Sequence, residues 1–309
     1  MQKTLFKRGL IVGPSGIGAV HLREFLRNGI NEIAFIGKSK FKKRSFQINS
    51  KKFEFVKIIN LKKFKNLKKF KPQITSICSP YHKHLNHILK CKDYSKYIIV
   101  EKPFIWSRTK IKKGKNLQIS LNLLSKLNNK IVVNLPMVSI ARQLFYKKEI
   151  PKRIRSFKFS YFTKGPQFYD NIAVDLLPHA LSFLLTAARK KAFNLKILAV
   201  KKQRSCWSCK IKLDEILCDF KFKQDKFNKE SKLYFSLNND RYKRLQKEIQ
   251  NEYLTYLIKN GKKKIFLKNP MQEYLYFIFR SFKNSSKVKM NNDLVLKITK
   301  ITEELLNFK

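Results

Sequence analysis

Acidic residues are scarce. Only 20 Asp and Glu stand against 69 Lys and Arg in 309 residues, a formal charge of +49. A charge of that size invites a nucleic-acid or anionic-membrane partner. The lysines are nevertheless scattered from Lys3 to Lys309 and form no compact basic arm or reader motif. They read as lysine filling permissive surface positions, so neither nucleic acid nor membrane is expected as a partner. Cysteine is sparse too: Cys78, Cys91, Cys206, Cys209 and Cys218 are an odd number in a long chain, which argues against a disulfide framework and for reduced thiols. Cys206 and Cys209 have CxxC spacing, but no second pair and no nearby His completes a zinc set, and the flanks alternate like a strand. No metal is expected. Long hydrophobic runs are missing as well. The longest, Ala180 to Ala188, contains Ser182 and Thr186 and falls short of the roughly 18 residues of a membrane span. The chain reaches Leu10-Ile11-Val12 and a glycine loop without a secretory h-region, so a cytoplasmic protein is expected. No Gly- or Pro-rich linker and no internal repeat appears.

Hydrophobic residues make up 43% and aromatics 13% of the chain, close to globular usage and enough for two domains. The first third alternates strands and helices: Leu10 to Val12, then Gly16 to Asn28 with helical spacing, Ile33 to Ile36, Phe53 to Ile59, a short basic helix over Leu61 to Phe70, Ile74 to Ser79, His82 to Cys91, and Tyr97 to Val100. Strands separated by helices indicate right-handed crossovers and a parallel sheet. Later segments alternate with period two: Arg153 to Thr163, Leu195 to Lys201, Cys206 to Leu213, Ile216 to Lys223 and Leu233 to Leu237. These suggest consecutive, mostly antiparallel strands with one polar face. Two helices close the chain, Met271 to Phe282 and Asp293 to Leu306 with Asn292 as N-cap. The expected fold is α/β: a dinucleotide-binding, doubly wound parallel sheet over 1–133, then an α+β domain with an open, mostly antiparallel sheet over 134–309. A sheet face that few helices can cover predicts a homodimer or homotetramer.

The loop Gly13-Pro14-Ser15-Gly16-Ile17-Gly18 lies between first strand and first helix, where backbone N–H groups and the helix dipole can receive a pyrophosphate. Gly13 and Gly18 keep the outer spacing of G-x-G-x-x-G, while Ser15 replaces the middle glycine. The second strand ends in Gly37-Lys38-Ser39 with Arg44 following, and carries no carboxylate to bind a ribose 2′-hydroxyl. Lys38, Ser39 and Arg44 favour a 2′-phosphate instead. NADP is therefore expected, with NAD as the alternative.

Three more clusters follow in order: Ser79-Pro80-Tyr81-His82-Lys83-His84, then Glu101-Lys102-Pro103, then Asp175-Leu176-Leu177-Pro178-His179. With the glycine loop and His21, this order resembles the glucose-fructose oxidoreductase / inositol dehydrogenase / MocA-like (Gfo/Idh/MocA) family along nearly the whole chain. The resemblance implies a Rossmann domain followed by an α+β domain. It also implies a hydride-transfer enzyme acting on a sugar, nucleotide-linked sugar or polyol. By that likeness Gly13, Ser15, Gly16, Ile17, Gly18, Ser79, Pro80, His84, Glu101 and Lys102 serve the cofactor. The chain departs from the family at Ser15, at Asn171 to Val174, where a glycine-rich run is common, and at Pro136, where an Arg is common. A non-catalytic dinucleotide- or sugar-binding protein on the same scaffold is the alternative.

Asp175 and His179 stand four residues apart and would share one helix face if Asp175 opens the helix and Pro178 falls in its first turn. Histidine suits proton transfer near neutral pH, so His179 is the expected acid/base. Lys102 would stabilise oxyanion charge and Asp175 would orient substrate. Tyr161, Tyr169 and Asn171 are candidate substrate contacts. His82, His84 and His87 suggest metal only superficially, because positions i and i+2 face apart on a helix.

Overall fold

The computed structural model describes residues 6–38, 47–48, 51–52, 57–107, 114–127, 129–189, 193–227, 230–249 and 252–308. The chain divides into two compact units. One holds the residues through Asn134 together with Leu275–Leu296, and the other holds Leu135–Ile249, Tyr253–Tyr274 and the chain from Lys297 onward. The stretch Leu275–Leu296 thus joins the first unit, although sequence order alone assigns it to the second.

The first unit is built on short apolar runs. Strands β1 (Arg8–Val12), β2 (Glu32–Ile36), β3 (Lys57–Asn60), β4 (Ile74–Ile77), β5 (Tyr97–Glu101) and β6 (Ile131–Asn134) line up in the order β3-β2-β1-β4-β5-β6. Every pairing is parallel. Strands buried on both faces read as continuous hydrophobic runs rather than alternating ones, and β4 and β6 are buried at every position. Helices α1 (Ile17–Arg27), α2 (His84–Cys91) and α3 (Lys115–Leu127) supply the crossovers. Of the expected strand Phe53 to Ile59, only its last three residues fall in β3, and 53–56 lie outside the described residues. The expected helix Leu61 to Phe70 shrinks to a 3-10 turn at Phe64–Asn66 and one α-turn at Leu67–Phe70.

Two late segments complete this unit. Helix α6 (Pro270–Ser281) sets Phe279 edge-on to Phe25 at 5.8 Å, and Phe282 stacks on Tyr97 at 4.4 Å. Within helix α7 (Ser285–Leu306), Asn291 both accepts from Val133 N and donates to Val133 O, each at 2.9 Å. An edge strand has unpaired backbone groups; on β6 the Asn291 amide satisfies one residue's pair. Helix α7 starts seven residues before the expected cap. Asn284 caps it, accepting from Lys287 N at 3.3 Å, while Asn292 is buried inside the helix.

The second unit carries an eight-stranded mixed sheet. Its strands are β7 (Ser156–Lys164), β8 (Leu195–Lys202), β9 (Cys206–Leu213), β10 (Ile216–Asp225), β11 (Lys232–Leu237), β12 (Asp240–Ile249), β13 (Glu252–Lys259) and β14 (Lys263–Leu267), in the order β8-β9-β10-β7-β11-β12-β13-β14. Strand β7 runs parallel to β10 and antiparallel to β11. The period-two pattern does not mark the strands beyond Leu237: β12 and β14 are rich in Lys and Arg, and β13 breaks alternation at Leu257-Ile258. Helix α5 (Asp170–Ala188) covers one face, stacking Phe183 on Phe157 at 5.6 Å with the rings 7° from parallel. Trp207, Phe220 and Phe222 fill the core beneath it. Helix α4 (Pro136–Tyr146) packs beside α5.

Helix α5 corrects two expectations. It opens at Asp170, so Asp175 lies in its second turn and Pro178 sits inside the helix rather than in its first turn. Ile172, Ala173 and Val174 are buried, and that burial extends the helix upstream of the proline. At 19 residues α5 is also long and apolar enough to cross a membrane by composition, yet 72% of that window is buried against its own unit. It is a core helix. The CxxC pair lies on β9, where residues three apart point to opposite faces: Cys209 is buried and Cys206 is half-buried.

Candidate active site

The glycine loop joins β1 to α1. Gly13 has φ 83°, and a Cβ there would come within 2.8 Å of the Ser79 backbone nitrogen; one on Gly18 would come within 2.0 Å of the Gly13 carbonyl oxygen. Only glycine allows these segments to approach so closely. Gly16, at φ 57°, faces open space, with nothing within 4 Å of an added Cβ. It caps α1 with no side-chain hydrogen bond. A helix N-terminus beside open space is the cradle a pyrophosphate requires, and Ser15, where a third glycine is usual, is exposed and does not fill it. Ile17 begins the helix. Lys38 is exposed just past β2, while Ser39 and Arg44 lie outside the described residues.

Ser79 and Pro80 follow β4. The Ser79 hydroxyl lies 2.8 Å from His87 Nδ1, and burial, with His84, Lys90 and Lys83 nearby, lowers the His87 pKa to about 4. His84 is buried. Its Nε2 lies 2.8 Å from Ser79 O, and its Nδ1 lies 3.0 Å from Pro103 O and 3.1 Å from Phe104 O. Burial pushes its pKa down, while the carbonyls on both nitrogens favour the charged ring. One imidazole therefore staples the loop after β4 to the loop after β5. His82 packs edge-on against Tyr81. Among the three histidines, the structure assigns two to loop positioning.

Glu101 ends β5 and is buried. It lies 2.7 Å from His21 Nε2 and accepts from Asn134 Nδ2 at 2.6 Å. The other His21 nitrogen lies 2.6 Å from the Ser76 hydroxyl. Burial works against charge on both groups, but their polar and charged neighbours outweigh it. His21, beside the Cys78 sulfur and Glu101, is pushed up to about 10. Glu101, beside His21, Asn134 and Lys102, is held below the usual carboxylate range. Glu101 and His84, expected among the cofactor residues, are thus buried supports for the segment that carries Lys102, which is half-buried.

In the second unit, Asn171, Asp175, His179 and Phe183 recur every four residues along α5 and form one stripe. Phe183 meets the sheet core. Tyr161, on β7, sets its ring edge-on to His179 at 5.5 Å. Asp175 accepts from Gln224 Nε2 at 2.5 Å, and the oxygen of the same amide accepts from Gln167 N at 3.1 Å. Arg244 on β12 lies over the Tyr161 ring at 5.6 Å. The structure brings Tyr161 to His179, whereas Tyr169 precedes the helix at φ 50° and is exposed. Sequence reasoning missed Gln224 and Arg244. Gln224 had a legible signal, since it is the one polar residue in the inward series Phe220, Phe222, Gln224 of β10.

No curated protein sequence matches the chain. Among solved structures, a dehydrogenase (MviM) from Clostridium difficile is 14% identical, with TM-score 0.66 and coverage of 97% of this chain and 98% of that one. A WlbA (WbpB) dehydrogenase from Thermus thermophilus, in complex with NAD and UDP-GlcNAcA, is 13% identical with TM-score 0.62, covering 98% and 95%. A mutant 3-ketoreductase from Actinomadura kijaniata, in complex with TDP-benzene and NADP, is 10% identical with TM-score 0.66, covering 97% and 96%. These likenesses establish a shared fold over almost the full chain. Residues 7–126 match the family described as oxidoreductase family, NAD-binding Rossmann fold. That match, to the Gfo/Idh/MocA oxidoreductases, covers the N-terminal domain.

Proposed function

We propose that the protein is an NADP-dependent oxidoreductase acting on a hydroxyl or carbonyl carbon of a sugar, nucleotide-linked sugar or polyol. The observation that carries this reading is the open, glycine-only approach at Gly13, Gly16 and Gly18, together with a lysine-bearing turn braced by His84, Glu101, His21 and Asn134. The bound dinucleotide would supply hydride exchange with the carbinol carbon. Gly13 to Gly18 would hold its pyrophosphate, the Ser79 hydroxyl would be presented to it by His87, and Lys38, Ser39 and Arg44 would favour a 2′-phosphate. The 3-ketoreductase relative crystallised with NADP is consistent with that preference.

On the substrate side, His179 takes or returns the hydroxyl proton, and the Lys102 ammonium lowers the energy of a developing alkoxide. Asp175, fixed by Gln224, orients a sugar hydroxyl. Arg244 beside Tyr161 suits an anionic group on the substrate, as in the UDP- and TDP-linked ligands of the relatives.

The test starts with fluorescence titration. NADPH should bind at least tenfold more tightly than NADH, about 1.4 kcal/mol, and Ser39→Asp should reverse the order. With a substrate found by screening nucleotide sugars, His179→Ala and Lys102→Ala should each lower turnover roughly 10²-fold or more, with NADPH affinity little changed in His179→Ala. Gly13→Val should abolish cofactor binding. Full turnover in His179→Ala, or equal affinity for the two cofactors, would reject the corresponding assignment.

A further inference from the structure

The sheet face of the second unit that α5 leaves open is cationic. Lys158, Lys210, Lys212, Lys221, Lys223 and Lys243 are all exposed on outward positions, with Asp219 as their acidic neighbour. Alternation places lysine on many outward positions of β7, β9, β10 and β12, with Phe162 and Leu217 among them. The face is also concave at one place. A cavity of about 370 Å³ is lined there by residues of β7, β11, β12 and β13 and by Gly261.

The strand register orders its polar lining into a lattice. Lys158 pairs with Ser236 and Ser236 with Arg241; one pleat along, Ser160 pairs with Tyr234 and Tyr234 with Lys243. Strands lie about 4.8 Å apart and outward residues about 7 Å apart along a strand, so the six side chains span roughly 10 by 7 Å. Three cations and three hydroxyls converge on that area. None of the six makes a side-chain hydrogen bond or ion pair with another described residue. Asp219 is in register with Lys158, and Asp240 is engaged by Lys259 at 2.8 Å. Ile258 closes one wall.

We infer that this cavity binds the diphosphate group of a small phosphate ester, a nucleoside or sugar diphosphate. Cations and hydroxyl donors at this spacing match two linked phosphates, and the volume leaves room for one attached ring against Tyr234 and Ile258. The site lies on the sheet face away from α5, and so apart from Asp175 and His179, and does not depend on the proposed reaction.

The probe is inorganic pyrophosphate, titrated calorimetrically into the full chain carrying Gly13→Val, which removes the glycine loop as a second phosphate site. One equivalent should bind at physiological salt. The triple variant Lys158→Gln, Arg241→Gln, Lys243→Gln should weaken binding at least tenfold. The variant Lys210→Gln, Lys212→Gln, which removes charge from the same face outside the cavity, should leave it within twofold. Equal losses in the two variants would show diffuse attraction to the whole face and overturn the site, as would undiminished binding in the triple variant. Circular dichroism of each variant confirms that folding is retained, and Ser236→Ala, a smaller change, should by itself weaken binding severalfold.

Discussion

At the residue scale, the most consequential feature is the buried ion pair behind Lys102. A charge taken out of water is tolerated only when paired and hydrogen-bonded, and removing one partner of such a pair costs on the order of 3 kcal/mol. Glu101→Gln should therefore destabilise the protein by about that amount near pH 6. The pH dependence follows from the shifts. His21, pushed up from 6.5 to about 10, contributes stability that is complete below its ordinary value and is lost as pH rises toward 10. Glu101, held below 4.5, contributes above that value and loses it as pH falls. The pair is therefore strongest between about 4.5 and 6.5, the two ordinary values. Urea midpoints should fall between pH 6.5 and 10 in the wild type, and less steeply in Glu101→Gln. Parallel curves for the two proteins would contradict a charged pair.

At the scale of elements, α5 and α7 show how burial and capping divide the work. Helix α5 carries Pro178 in its interior because the apolar residues around it are buried on the sheet, and tertiary packing outweighs the lost backbone bond. Its stripe from Asn171 to Phe183 anchors one end in the core and presents His179 and Asp175 further toward the N-terminus. Gln224→Leu keeps the side chain's bulk while removing the donor to Asp175. Turnover should drop at least tenfold with NADPH affinity unchanged; unchanged turnover would show that Asp175 needs no such anchor. Helix α7 depends on Asn284, whose side chain accepts from the first turn. Asn284→Ala should cost about 1 kcal/mol in a denaturation measurement, whereas Asn292→Ala, inside the helix, tests burial rather than capping.

At the scale of the whole molecule, the charge of the open sheet face bears on the proposed dimer. If the open sheet face mediates a dimer, as the sequence reading proposed, two lysine-studded surfaces must meet. Like-charge repulsion is screened over about 8 Å at physiological ionic strength and about 30 Å at 0.01 M. Sedimentation velocity should then show a monomer at low salt and stronger association as salt or pyrophosphate is added. A dimer indifferent to both would place the interface elsewhere.

The strands of the first sheet and the glycine loop were legible in the sequence because their signals are local: a continuous apolar run, a glycine where no Cβ fits, a helix beginning next to it. The order of the Ser79, Glu101 and Asp175 clusters was legible for the same reason. The start of α5, the cap of α7 and the three strands after Leu237 were not, because burial, which overrides proline and conceals periodicity, depends on residues distant in the chain. What Glu101, His84 and His87 do was likewise decided only in three dimensions. Their partners are His21, Pro103 and Ser79, between 8 and 80 residues away. Composition alone determined that the surface would be basic; only strand register decided that three of those cations and three hydroxyls would share one concave face.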